Sequence, residues 1–192
     1  DTYKYELLWS PDSKKILWSD KKLRLQFVDV ETKNVTLVDQ AKAFEIRQFV
    51  WSPDSKWVAF ARPEVDSLNK VYLYSLAGGK STTVTDGWYA ANSPAFSRDG
   101  KYLFFVSARD WAANVWSYDV ASGATQQVTR FSGAEVKTLS GGAGTLVFEQ
   151  DGWIHTLDPA TGRTQRLSIT VQGDFPWAAA RWEDVSTRAS AA

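Results

Sequence analysis

The sequence predicts an all-β fold: about four consecutive β-propeller blades, each a four-stranded antiparallel meander, in an incomplete ring. Three observations carry this. A turn motif returns after 42, 45 and 43 residues, the period of a four-stranded blade. Between its copies lie short apolar or alternating runs of strand length, and no stretch sustains a helical period. The 192 residues include 10 Trp, 10 Phe and 7 Tyr, an aromatic load suited to pleated, packed sheets.

The motif begins as Trp9-Ser10-Pro11-Asp12-Ser13-Lys14 and returns as Trp51-Ser52-Pro53-Asp54-Ser55-Lys56. A third copy reads Phe96-Ser97-Arg98-Asp99-Gly100-Lys101, and an eroded fourth reads Leu139-Ser140-Gly141-Gly142-Ala143-Gly144. Proline after the serine fixes φ for a type I turn, Asp and Ser bond back to nearby amides, and Gly100 takes a positive φ at no steric cost. Serine beside aspartate suggests a nucleophile, but catalytic residues do not recur at a structural period. The motif therefore reads as the hairpin between the first two strands of each blade.

The elements follow in order. In the first blade, residues 5–46, the run before the motif is followed by Ile16–Trp18, Leu25–Asp29 and Val35–Val38. The second, 47–90, continues with Trp57–Phe60, Val71–Leu76 and Thr82–Thr85. The third, 91–134, has Tyr102–Phe105, Val115–Val120 and Gln126–Thr129. The fourth, 135–168, has Leu146–Phe148, Ile154–Asp158 and Gln165–Ser168. The propeller segment thus spans 1–168, and 169–192 reads as a linker or the start of a following domain. With no methionine anywhere, residue 1 is not expected to be a natural start, and the chain reads as a piece of a longer one.

Charge and composition narrow the function. Twenty-two basic residues balance 22 acidic ones, so the chain lacks the footprint that nucleic acid or an anionic membrane surface requires. No apolar run approaches the length of a membrane span, and the first 30 residues do not form a signal peptide. The absence of cysteine excludes disulfides, thiolate metal sites and a cysteine nucleophile, and fits periplasm and cytoplasm alike. Carboxylates lack EF-hand spacing and no glycine-rich phosphate loop precedes a helix, so neither metal nor cofactor is expected.

Few residues suggest chemistry. His155, the lone histidine, falls in the third strand of the fourth repeat without a recognisable nucleophile and orienting acid, and reads as structural. A sialidase-type Asp box fails on glycine and tryptophan spacing, and no Trp-Asp dipeptide marks a WD40 blade. One cluster rises above this background. The loop between the second and third strands and the connection into the next blade share one face of a propeller. That puts Trp88 and Tyr89 on the same face as Trp111, and large aromatics in such loops are candidates for gripping an extended peptide or sugar.

The pattern [Trp/Phe]-Ser-x-Asp-[Ser/Gly]-Lys, with Ser107-Ala108-Arg109-Asp110 and the blade endings Leu76–Lys80 and Asp119–Gly123, resembles the propeller repeats of TolB, prolyl oligopeptidase-type peptidases and tricorn proteases. The tail from Ile169 to Trp177, running into Ala180–Val185, resembles the passage from a first to a second propeller in tricorn-like proteases. The resemblance implies the N-terminal β-propeller of a tricorn-like serine protease. Such a propeller handles peptide substrate while a separate downstream domain holds the catalytic serine. The alternatives are a TolB-like protein–protein interaction propeller, or a propeller piece that only self-assembles. Four blades of a larger ring leave two faces uncovered, with Trp9, Trp18, Phe148 and Trp153 expected on them, so self-association is expected as well.

Overall fold

The computed structural model describes residues 2–66, 68–142, 144–171, 173 and 178–186, and among these the regular structure is entirely β. Strands β1 (Lys4–Trp9), β2 (Lys15–Asp20), β3 (Arg24–Asp29) and β4 (Val35–Gln40) form the first antiparallel sheet. The second comprises β5 (Gln48–Trp51), β6 (Trp57–Pro63), β7 (Asn69–Ser75) and β8 (Lys80–Thr83). The third has β9 (Ala91–Phe96), β10 (Tyr102–Asp110), β11 (Ala112–Asp119) and β12 (Thr125–Gln127). The fourth has β13 (Val136–Gly141), β14 (Leu146–Gln150), β15 (Trp153–Leu157) and β16 (Thr164–Arg166). Each sheet is an up-and-down meander in chain order, as the repeat predicts.

The repeated motif folds as its chemistry requires. Ser10 Oγ donates to Asp12 Oδ1 at 2.6 Å and accepts the Lys15 N–H at 2.9 Å, while Asp12 Oδ1 accepts the Lys14 N–H at 3.1 Å. Ser52 with Asp54, and Ser97 with Asp99, repeat this arrangement to within 0.1 Å. The fifth residue takes the left-handed conformation in all three, at φ 58° for Ser13, 59° for Ser55 and 71° for Gly100. The fourth copy keeps the spacing but not the turn. Ser140 pairs with Val147 inside the sheet, and a tighter connection is closed by Gly142 N–H donating to Thr145 O at 3.0 Å. Without the aspartate there is no carboxylate to organise the longer turn; Ala143 lies outside the described residues.

Burial happens between sheets. Leu17, Leu25, Phe27 and Val38 of the first blade pack on Ile46, Phe49, Trp51, Val58 and Phe60 of the second. Val71, Leu73 and Val84 meet Ala91, Phe96, Leu103 and Phe105 of the third. Phe104, Val106 and Val115 meet Val136, Leu139, Leu146, Phe148 and Leu157 of the fourth. Residues paired directly across antiparallel strands share a face. Leu146 pairs with Leu157 and Phe148 with His155, so Phe148 points toward the third blade and is buried.

The ring is open, and its two ends differ. Trp9, Ile16, Val28 and Val35 are cross-strand partners on the outer face of the first blade, where Trp9 is 57 % and Val35 56 % exposed. The outer face of the fourth blade carries Val147, Glu149, Ile154 and Thr156, a more polar set. Two residues expected on the open faces are therefore corrected: Phe148 is inside the third interface, and Trp153, the partner of Gln150, lies on that same side of its sheet. Trp18, the partner of Gln26, is on the outer face of the first blade although little of it is exposed. Trp153 is partly exposed, with the Arg166 guanidinium 4.4 Å from its ring. Of the tail expected to leave the propeller, residues 172, 174–177 and 187–192 lie outside the described residues.

Candidate functional site

The ends of β2, β6 and β10 lie on one face, together with the connections that lead from one blade into the next. This face carries charge on a buried base. At the first hairpin Asp20 is sealed from solvent, accepts the N–H groups of Lys22 and Arg24, and pairs with the Arg24 guanidinium at 2.5 and 2.9 Å. Burial alone would raise its pKa; the bonds from Arg24 and Lys22 outweigh that and hold it below the ordinary aspartate value.

Between the first and second blades, Arg62 reaches both oxygens of Asp39 at 3.0 and 2.9 Å, Glu64 at 2.8 Å and the Tyr72 hydroxyl at 2.6 Å. Its guanidinium also lies 4.1 Å from the Tyr72 ring centre. Tyr72 donates to Glu64 at 2.6 Å, and burial together with that carboxylate pushes its pKa up to about 12. Two carboxylates neutralise this arginine.

Between the second and third blades the cations are held differently. Lys70, at the start of β7, donates to the carbonyls of Gly87 and Tyr89 and so ties down the connection into β9. Asn114 does the same work one blade later, bonding Phe131 through both its N–H and its carbonyl. Arg109 stands near the end of β10. Its guanidinium lies 4.6 Å from the Trp116 ring, 5.0 Å from Tyr89 and 5.6 Å from Phe105. Ala108 N–H donates to Ala90 O at 3.3 Å, which fixes the connection against the hairpin.

The three aromatics singled out from the sequence fall here. Tyr89 is half-buried between Lys70 and Arg109. Trp88 is 93 % exposed and Trp111 98 % exposed, so neither packs against a neighbouring blade. Trp111 sits at the tip of the β10–β11 hairpin at φ 65°, a conformation that disfavours a bulky side chain. Gly87 permits the close approach of Tyr89: a Cβ at position 87 would lie 2.8 Å from the Tyr89 ring. The sequence reading missed Lys70 and Arg109. Arg109 appears within the blade motif, but only the packing of two blades brings it onto Tyr89.

The remaining candidates are structural. His155 stacks on Phe148 at 5.0 Å with an interplanar angle of 13° and meets the edge of Phe131 at 5.9 Å. It occupies the register position that Tyr72 fills against Phe60 in the second blade. Among the described residues no group of three or more His, Asp or Glu side chains could hold a metal ion. A groove of about 540 Å³ runs along the innermost strands, lined by Pro11, Trp51, Pro53, Pro94, Phe96 and Leu139 among others.

Comparison with known proteins matches residues 1–128 to the tricorn protease second β-propeller domain. The chain is 40 % identical over 100 residues to the tricorn-like protease C-terminal subunit of Sulfurisphaera tokodaii, covering 52 % of this chain and 12 % of that one. The fold is similar to the crystal structure of the tricorn protease, with a TM-score of 0.72 at 14 % identity, over 85 % of this chain and 22 % of that one. It is also similar to TolB from Acinetobacter baumannii, with a TM-score of 0.66 at 20 % identity, over 89 % and 45 %. The chain spans 12 % and 9 % of the length of the first two curated relatives it matches.

Proposed function

This chain belongs to the tricorn protease second β-propeller family, and we propose that it is a peptide-handling section of a tricorn-like serine protease. In this reading residues 1–168 are the propeller segment and 169–192 lead out of it. Proteolysis belongs to another part of the whole protein, and the segment binds peptide or protein. The single observation that carries the reading is the pair of almost fully exposed tryptophans, Trp88 in the connection into β9 and Trp111 in the β10–β11 hairpin. Burying neither ring stabilises the fold, and Trp111 pays a conformational cost to stand where it does. Exposed rings in loops between strands suit an extended chain whose side chains vary, because stacking is tolerant of sequence. The likeness to TolB, at 20 % identity, supports the fold and does not by itself favour a protein-adaptor role.

A fluorescence titration tests the proposal. Short peptides rich in aromatic and aliphatic residues quench or shift tryptophan emission with dissociation constants near the millimolar range, since each ring contributes about 0.5–1.5 kcal/mol. Trp88→Ala with Trp111→Ala removes that binding without unfolding the chain, because both rings are exposed. Unchanged affinity in the double variant contradicts the reading. The same peptides stay intact on prolonged incubation with the chain.

A further inference from the structure

Among the described residues, the aromatic face holds an arginine with neither an ion pair nor a hydrogen-bonded acceptor. Arg62, on the same face one blade earlier, is bound by Asp39 and Glu64. Arg109 has no ion pair and no hydrogen-bonded acceptor among the described residues, although Asp110 follows it at the end of β10 and Asp86 lies in the connection into β9. Its Nε is buried without a partner. Three rings surround the guanidinium: Trp116, Tyr89 and Phe105. Ring contacts of this kind restrain a guanidinium without using its N–H groups, which are left without protein acceptors.

We propose that Arg109 is a carboxylate-binding site, which takes the carboxylate of a bound peptide while Trp111 and Trp88 cover the apolar side chains beside it. This rests on the peptide-handling reading and names the chemistry that the face selects. The planar fork matches a carboxylate with two parallel N–H···O bonds, and a guanidinium stacked on apolar rings forms such bonds with less competition from water. A single cation fits a single carboxylate. Lys70 keeps its charge, but it is buried and two of its N–H groups already bond backbone carbonyls, so Arg109 is the cation a ligand reaches. The carboxylate could belong to an acidic side chain or to the peptide's C-terminus; the chemistry at Arg109 is the same for both.

The test uses the 192-residue chain with ¹⁵N-labelled arginine and four probes. These are acetyl-Ala-Phe-Glu-Ala-amide, its Gln counterpart, acetyl-Ala-Phe-Ala with a free C-terminus, and its amide. The proposal expects at least one acidic probe to bind about tenfold more tightly than its neutral partner and to move the Arg109 Nε–H resonance. Which acidic probe gains identifies the source of the carboxylate. Arg109→Gln abolishes the difference and leaves the affinity of neutral probes unchanged. Arg109→Lys keeps the charge and much of the stem but lacks the fork, and retains only a small part of the preference. Acidic and neutral probes that bind equally would overturn the Arg109 site and leave peptide handling intact. Failure of all four to bind would overturn both.

Discussion

The backbone N–H of Asp12 donates to Ser55 Oγ at 3.1 Å, joining the turn of the first blade to the turn of the second. Ser55 thus serves two repeats: it holds the left-handed position of its own turn at φ 59° and bonds its predecessor's. Ser13 holds the same position at φ 58° and makes no side-chain bond of this kind. The two serines therefore respond differently to one substitution. Ser13→Gly removes left-handed strain and stabilises the chain by about 1 kcal/mol. Ser55→Gly gains as much but loses the inter-blade bond, itself worth about 1 kcal/mol, and leaves stability nearly unchanged. Urea midpoints of the two variants measure the difference. Equal stabilisation by both would show that the bond between the turns contributes nothing.

Acid sensitivity follows from the same repeats. Asp12 and Asp99 are held below the ordinary aspartate range chiefly by the hydroxyls of Ser10 and Ser97. In Asp54 burial works the other way, and the Ser52 hydroxyl and Lys56 N–H outweigh it. At the turns between third and fourth strands, Asp29 is lowered to about 2, first by the Thr32 N–H, Asp119 is lowered by the Ser122 N–H and Asp158 by the Ala160 N–H. In each case the unfolded chain takes up a proton at higher pH than the folded one. Their contribution is complete above the unfolded value of about 3.8 and is lost as pH falls toward 2. The urea midpoint should stay flat from pH 7 to 5 and drop below pH 4. A midpoint at pH 2.5 equal to that at pH 7 would remove these carboxylates from the account.

The strands were legible because their signals are local. Alternation fixes which residues of Leu25–Asp29 point together, and the Ser-Pro-Asp-Ser turn chemistry fixes where β1 ends and β2 begins. What needed the structure is non-local. Whether Phe148 faces the third blade or the open end depends on which side of its sheet a neighbour occupies, and alternation is the same in both cases. The fourth turn matched the period of the other copies, yet Ser140 lies inside the sheet because no aspartate draws it into a longer loop. The aromatic face was half legible. Loop position assigned Trp88, Tyr89 and Trp111 to one face, whereas the Arg109–Tyr89 contact joins residues 20 positions apart through a blade interface.

The open ends bear on association. The first blade leaves Trp9, Val35 and Leu37 uncovered on a sheet face of the kind that other blades cover by packing. By itself the chain should self-associate at micromolar concentration through this face. Light scattering gives the mass directly. Trp9→Lys with Leu37→Lys should shift it toward 21.5 kDa, by placing charge on the exposed face. A wild-type mass of 21.5 kDa, unchanged on dilution, would contradict association through the open blade.

Peptide handling at the aromatic face is tested most directly by mapping where a peptide rests. A short peptide carrying a diazirine photoprobe, crosslinked to the chain and located by mass spectrometry, should attach within residues 86–90 and 109–112, around Trp88 and Trp111. Free unlabelled peptide should suppress that attachment. Attachment confined to the opposite face, at the turns 11–14, 53–56 and 98–101, would contradict the account.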